Sequence, residues 1–309
     1  MQKLYLGLDG GGTKTKAVLI DQDKNVISKA ESPGSNANVI GVEPAVENVY
    51  TAIKAALPNN TNGQKLISVF AIAGVDTSEE KHAWEKALSN HKLLSSLFEK
   101  PPQIVNDTVA ALRSGSEEKN GIVLISGTGS NCYGVYEGKE AKSSGVGHIL
   151  SDDGSAFDIG LKIIRTATKA IDGRGPKTAL LDLLFEKFKI NSINELKNLV
   201  YQKPWDKTDI AQIAPLAEKA AEKNDKIAIQ IIDDAAEELA QAVIAVAKNL
   251  EITNKQYTIV LTGSVLENLK VIQGKLKNKI HKVSPKAKFT LSQVDSATAA
   301  AYLAQEYNQ

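Results

Sequence analysis

Three short stretches of this chain carry residues that could do chemistry. Asp9 ends an apolar run and is followed by Gly10-Gly11-Gly12-Thr13-Lys14; Asp107 closes "QIVND"; Gly127-Thr128-Gly129-Ser130 follows the apolar Ile122 to Ile125. Glycine in such turns supplies positive φ and lets backbone N–H groups approach an anion with no β-carbon in the way. A carboxylate at the strand end beside the turn suits a hydrated metal ion next to a phosphate. A hairpin tip with no ligand explains the first stretch equally well. A P-loop needs Gly-Lys and then Ser or Thr ahead of a helix, whereas Gly12 is followed by Thr13, and the Rossmann glycine spacing is missing too.

The elements around these stretches are strands. "TKTKAVLID" alternates polar and apolar residues before Val18 to Ile20, so strand, glycine turn and strand form a β-hairpin. The design recurs in "GIVLISGTGSNCYGVYEG". A third apolar strand, "YTIVLTGSV", ends at Gly263-Ser264, and the "LENLKVIQGKLKNKI" that follows has helical spacing. The first third predicts strands at about 3–9, 13–21 and 25–31, a helix near 43–57, a strand at 66–73, a helix near 79–90 and the strand "QIVND". From Gly121 the strand order restarts, followed by a helix-rich stretch at about 155–250 and a closing β–α–β–α. Ile227, Ile231, Ala235, Leu239, Val243 and Val246 keep the spacing of one buried helix stripe. Asn59 to Gln64 reads as a polar turn, and Asp172 to Lys177 as a link between helices. The expectation is α/β, with domains at 1–118 and 119–309, the second with a helical insertion. The last helix, about 296–309, is expected to pack back on the first domain.

With 309 residues, 42% of them hydrophobic, the chain suits two domains around one cleft. Its 37 basic and 36 acidic residues leave no electrostatic footprint for nucleic acid. No apolar run approaches the roughly 18 residues of a membrane span, and Asp9 interrupts any signal-type apolar core, so a cytoplasmic location is expected. A single cysteine, Cys132, excludes an intramolecular disulfide framework and reads as a small packing residue. His82, His91, His148 and His281 lack metal-ligand spacing. Exposed edge strands could support a homodimer.

"LGLDGGGTKTKAVLID", "VNDTVAALRSG", "ISGTGSNCYGV", "GVGHILSDDGSAFDIG" and "VLTGSV" together resemble the phosphate, catalytic, sugar and adenosine motifs of the N-acetylglucosamine kinases. These are BadF/BadG-type ATPases of the actin, hexokinase and sugar kinase superfamily, and the resemblance runs from about residue 4 to 304. It implies two ribonuclease H-like, actin-like ATPase domains flanking a nucleotide and sugar cleft, with ATP and Mg²⁺ as cofactors. By this resemblance Thr13 and Thr128 contact ATP phosphates within turns that include Gly11, Gly12, Lys14, Gly127 and Gly129. Asp9 holds Mg²⁺ through water, while Gly263 and Ser264 lie by adenine and ribose. Asp107 corresponds to the base that takes the proton of a sugar 6-hydroxyl as its oxygen attacks the γ-phosphorus; read from the residues alone, it would cap the helix "TVAALRS". Asn36, Ser130, Asn131, Gly145, Val146, Gly147 and Asp152 match sugar-binding positions, where amides and carboxylates partner hydroxyls.

The chain departs from the family pattern in three places. Ser144-Gly145-Val146-Gly147 stands for Gly-Gly-Trp-Gly, and Ser151-Asp152-Asp153-Gly154 for Gly-Asp-Glu-Gly. Asn224 stands near the nucleotide where relatives often have glycine, and asparagine tolerates the left-handed region. Glucosamine and N-acetylmuramic acid, whose lactyl group could use the room at Val146, stand as alternative acceptors. A dehydratase-activating ATPase would need two cysteines per chain for a shared cluster. A sugar-responsive regulator would carry an added helix-turn-helix, whereas the first strand here begins by Lys3.

Overall fold

The computed structural model describes residues 3–58, 64–202 and 204–308. They fall into two compact units, Met1–Glu118 with Ser292–Gln309, and Lys119–Leu291. The polar turn expected at 59–64 lies outside the described residues except for Gln64.

The first unit begins with β1 (Leu4–Gly10), β2 (Lys14–Ile20) and β3 (Val26–Pro33), continues through α1 (Ala37–Ile40), α2 (Val42–Ala56), β4 (Leu66–Ile72), α3 (Ser78–Asn90) and α4 (Lys92–Ser95), and reaches β5 (Gln103–Asn106) and α5 (Asp107–Arg113). Its sheet runs β3-β2-β1-β4-β5, with β1–β2–β3 antiparallel and β1–β4–β5 parallel. The central β1 is covered on both faces, which is why "LYLGL" is almost continuously apolar. One face packs Leu6, Leu8 and Phe70 against Val46, Val49 and Ile53 of α2.

The second unit holds β6 (Gly121–Ser126), β7 (Ser130–Tyr136) and β8 (Lys139–Ser144). The helices α6 (Ala156–Ile171), α7 (Ala179–Phe188), α8 (Ile193–Gln202), α9 (Lys207–Ala211), α10 (Pro215–Ala221) and α11 (Lys226–Asn249) come next, then β9 (Tyr257–Thr262), α12 (Ser264–Asn268), α13 (Lys270–His281) and β10 (Ala287–Leu291). Its sheet, β10-β9-β6-β7-β8, repeats the first: three antiparallel strands, then two parallel ones on the other side of the first strand. Both sheets therefore carry the ribonuclease H-like α/β order. The α11 stripe buries Ile231, Ala235, Leu239, Val243 and Val246, while Ile227 is only partly covered.

The final helix, α14 (Ser296–Glu306), belongs to the first unit, so the second ends at Leu291 rather than at the C-terminus. It covers the second face of the first sheet, with Ala297, Ala300, Ala301 and Ala304 against Tyr5, Val18 and Val69. Contact is closest at Gly7, where an added β-carbon would stand 2.0 Å from the Ala297 carbonyl oxygen and 2.1 Å from the Ala301 nitrogen. Arg113 ties the same helix to α5 through Glu306 at 2.6 Å.

Candidate active site

The first glycine turn is held by backbone on three sides. The Gly11 N–H donates to the Lys14 carbonyl at 3.0 Å, the Ser35 N–H to the Gly11 carbonyl at 2.9 Å, and the Ala73 N–H to the Gly10 carbonyl at 2.9 Å. Gly12 and Thr13 form the exposed tip. The expectation that these glycines supply positive φ is corrected: none of Gly10, Gly11, Gly12, Gly127 or Gly129 lies in the left-handed region. They are small because of what surrounds them. A β-carbon on Gly10 would meet Ile72 and Ser35 at 2.6 Å, and one on Gly34 would meet the Gly12 carbonyl oxygen at 2.4 Å, whereas above Gly12 there is open space. That opening lets an anion approach the turn's backbone. Lys14, on the flank, pairs with Glu31 at 2.9 Å across to β3.

Asp107 is the first residue of α5, but it does not cap the helix. Asn106 does, its Oδ1 accepting the Thr108 N–H at 3.0 Å while its Nδ2 donates to the Val75 carbonyl at 3.0 Å. The structural alternative for Asp107 is thereby replaced. Asp9, at the end of β1, senses Asp107: burial first, then the negative charges of Asp107 and Asp295, push its carboxyl up to about 7, against the opposing charges of Lys16 and Lys14. This excess of negative charge is the kind that a divalent cation relieves. Among the described residues no group of three or more His, Cys, Asp or Glu could cage a metal. One carboxylate with water and phosphate completing the shell, as Mg²⁺ prefers, is the arrangement these residues fit.

Asn36 caps α1, accepting the Asn38 N–H at 3.0 Å, and its side chain packs on Gly74, where a β-carbon would lie 3.0 Å from its Oδ1. The turn-forming role is therefore present at Asn36.

In the second unit the Gly127–Gly129 turn closes against the start of α6. The Ala156 N–H donates to the Gly127 carbonyl at 2.8 Å, and the Phe157 N–H to the Thr128 carbonyl at 3.3 Å. Asp152 is buried against this turn, its Oδ2 2.6 Å from where a Gly129 β-carbon would be. Burial raises its carboxyl, offset in part by the Ser130 N–H and by the charges of Lys207 and His148. Ser130 turns its hydroxyl inward, donating to the Asp153 carbonyl at 2.9 Å, so it braces the 151–154 loop. Asn131 packs face-on to Gly145, and its buried Oδ1 has no hydrogen-bond partner. Ser144, Gly145 and Gly147 all have positive φ, which turns the loop and leaves Val146 63% exposed. The Val146 N–H donates to the Ser151 hydroxyl at 2.9 Å, linking the two glycine-rich segments.

Beside Thr128 opens a cavity of about 570 Å³. Ala156, Ser264, Val265 and Asn268 form one wall, and Ala211, Gln212, Pro215 and Glu218 form another. Gly263 makes the approach of β9 to β6 possible: φ is +96°, and a β-carbon there would stand 2.5 Å from the Ser126 carbonyl oxygen. Asn224 adopts the left-handed conformation, φ 59°, and so replaces a glycine without breaking the turn. It does not line the cavity, whose wall on that side ends at Glu222. Cys132 is buried on β7, and burial pushes its thiol up, away from thiolate chemistry.

The model of the BadF/BadG/BcrA/BcrD ATPase family matches residues 6–304. The chain belongs to that family. Among curated relatives, an N-acetylmuramic acid/N-acetylglucosamine kinase of Clostridium acetobutylicum is 33% identical over 308 residues, covering 98% of both chains. An N-acetyl-D-glucosamine kinase of Dictyostelium discoideum is 30% identical over 321 residues, again with 98% of both covered. A solved Chromobacterium violaceum protein shares the fold with a TM-score of 0.74 at 21% identity, covering 98% of this chain and 99% of its own.

Sequence reasoning missed several residues of the candidate site. Lys16 and Asp295 meet at 2.8 Å beside Asp9 although 279 positions separate them, and no local motif marks the pair. Gly7 and Gly34 carry no local motif either, and their need for space appears only from the neighbours that pack on them. The cavity wall from α9 and α10 has no motif at all, although the run of small residues in Ala211, Ala214 and Ala217 was a readable sign of close helix packing.

Proposed function

We propose that this chain is an ATP-dependent amino-sugar kinase that transfers the γ-phosphoryl group of ATP to the 6-hydroxyl of N-acetylglucosamine. The observation that carries the reading is the cavity between Thr128 and Ser264. Its volume of about 570 Å³ suits a small-molecule ligand, for which pockets of about 300–1,000 Å³ are usual. It lies between the turn that would hold phosphate and the turn that would hold adenosine. The names of the Clostridium and Dictyostelium relatives support the acceptor.

In this reading the first unit supplies the reacting carboxylates. Asp107 accepts the proton of the 6-hydroxyl as its oxygen forms a bond to the γ-phosphorus; the bond from that phosphorus to the bridging oxygen breaks, and ADP leaves with the electron pair. Asp9 would hold Mg²⁺ through water, and the ion would offset the charge on the phosphate oxygens. Gly11, Gly12, Thr13 and Lys14 in the first unit, and Gly127, Thr128 and Gly129 in the second, would bind phosphate groups of ATP. Gly263 and Ser264 would lie along the nucleoside, with Asn224 shaping the turn beyond it. Asn36, Ser130, Asn131, Gly145, Val146, Gly147 and Asp152 would form the sugar site, Ser130 by holding the loop. The unpartnered Oδ1 of Asn131 is an acceptor suited to a sugar hydroxyl or an acetamido N–H.

A second acceptor, N-acetylmuramic acid, is favoured by the exposed Val146, which leaves room where an aromatic side chain would stand. The reaction needs neither nucleic acid nor membrane, and no helix among the described residues is long and apolar enough to cross one. We place the enzyme in the cytoplasm, where ATP is available. ADP release measured with ATP and Mg²⁺ against N-acetylglucosamine, N-acetylmuramic acid, glucosamine, N-acetylmannosamine and glucose tests the reading. Turnover confined to N-acetylated sugars is expected; no turnover with any of them would refute it. Replacing Val146 by Trp should selectively impair N-acetylmuramic acid, and equal loss for all sugars would remove the second acceptor.

A further inference from the structure

Lys16 stands directly opposite Asp9 in the β1–β2 ladder. Directly paired residues of antiparallel strands place their side chains on one face, with β-carbons about 5 Å apart. That face is the one α14 covers. At the start of α14, Asp295 performs two tasks with separate oxygens. Its Oδ1 caps the helix, accepting the Thr298 N–H and hydroxyl, both at 2.8 Å. Its Oδ2 accepts from Lys16 Nζ at 2.8 Å and from Lys29 Nζ at 3.2 Å. Lys16 is thus a largely covered cation, its side chain 21% exposed, held by the Asp295 carboxylate on the face it shares with Asp9. The tight seat of α14 on Gly7, two residues before Asp9 on the same face, fixes where Asp295 stands.

We propose that Asp295 is a positioning residue of the phosphoryl-transfer site: from the N-terminus of the last helix it holds the Lys16 ammonium across the ladder from Asp9, so that α14 sets the charge an incoming triphosphate meets. The inference rests on the kinase reading. Helix capping alone requires only Oδ1, and any polar cap would satisfy it; the charge of Asp295 and its Oδ2 contact with Lys16 are what the positioning role adds.

Asp295→Asn separates the two tasks, because asparagine caps helices as well as aspartate but carries no charge to hold Lys16. Relative to an active wild type, kcat is expected to fall about tenfold and affinity for magnesium with a non-hydrolysable ATP analogue, read by calorimetry, to weaken by about the same factor. The sugar KM and the thermal midpoint should stay near the wild-type values. Lys16→Gln should reproduce the loss, and the double variant should lose little more, since the two side chains act through one contact. Lys29→Gln, which removes the other cation on Asp295, should leave turnover unchanged. Wild-type kcat and nucleotide affinity in Asp295→Asn would overturn the inference, and so would losses that merely track a fallen midpoint. An inactive wild type would instead overturn the kinase reading and take this inference with it.

Discussion

Asp152 rests against Gly129 so closely that a β-carbon on the glycine would lie 2.6 Å from the carboxylate Oδ2. The 127–129 turn and the 151–154 loop are therefore one packed piece, and Gly129 is required for space rather than for backbone freedom. Gly129→Ala should push the Asp152 side chain away while leaving the sheet intact. The sugar KM is expected to rise about tenfold or more, with unchanged far-ultraviolet dichroism, and an unchanged KM would show that Asp152 does not act on the sugar.

Asn106, not Asp107, caps α5, so Asp107→Asn leaves that cap in place. The substitution should lower kcat by about 10²–10⁴-fold, as loss of a general base does. Because the cap remains on Asn106, the thermal midpoint should hold within a degree or two of the wild type. A drop in stability matching the loss of activity would mean that Asp107 is structural after all.

Gly7→Ala drives a β-carbon into the Ala297 carbonyl, backbone against backbone, where no rotamer gives relief. Overpacking of this kind costs about 3 kcal/mol. Urea denaturation should show a loss of that order. A neutral substitution would contradict the seating of α14 on β1.

Asp225 caps α11, accepting the Ile227 and Ala228 N–H groups at 2.9 Å, and also takes the Thr178 hydroxyl and the Ala179 N–H at the start of α7. Burial raises its carboxyl, but these hydrogen bonds outweigh burial and hold it below the usual carboxylate value. Asp225→Ala should cost about 2 kcal/mol at neutral pH. A carboxylate whose folded pKa is depressed stabilises the fold above its unfolded value of about 4 and loses that contribution as pH falls through the folded value. The gap in midpoint between wild type and variant should therefore narrow below about pH 4, and a gap that widens in acid would contradict the assignment.

Strand and turn chemistry were legible in the sequence because they are local. The apolar runs before Asp9, Gly127 and Gly263 marked strand ends, and the order of motifs led to the duplicated sheet and the family. The reason for the glycines was not legible: whether Gly10 or Gly129 answers to φ or to a neighbour depends on Ser35, Ile72 and Asp152, which lie far along the chain. For Asp107 the sequence pointed to a helix cap, and only the placed side chain of its neighbour Asn106 shows that the cap lies one residue earlier. Lys16 and Asp295 were invisible for the same reason on a larger scale, since their pairing exists only once α14 returns to the first sheet.

The central claim is most directly tested by the product. Purified protein with ATP, Mg²⁺ and N-acetylglucosamine should release ADP and sugar phosphate in equal amounts, with phosphorus–proton coupling in the nuclear magnetic resonance spectrum placing the phosphate on the C6 oxygen. Phosphate at another hydroxyl, or ADP formed without sugar phosphate, would contradict the account.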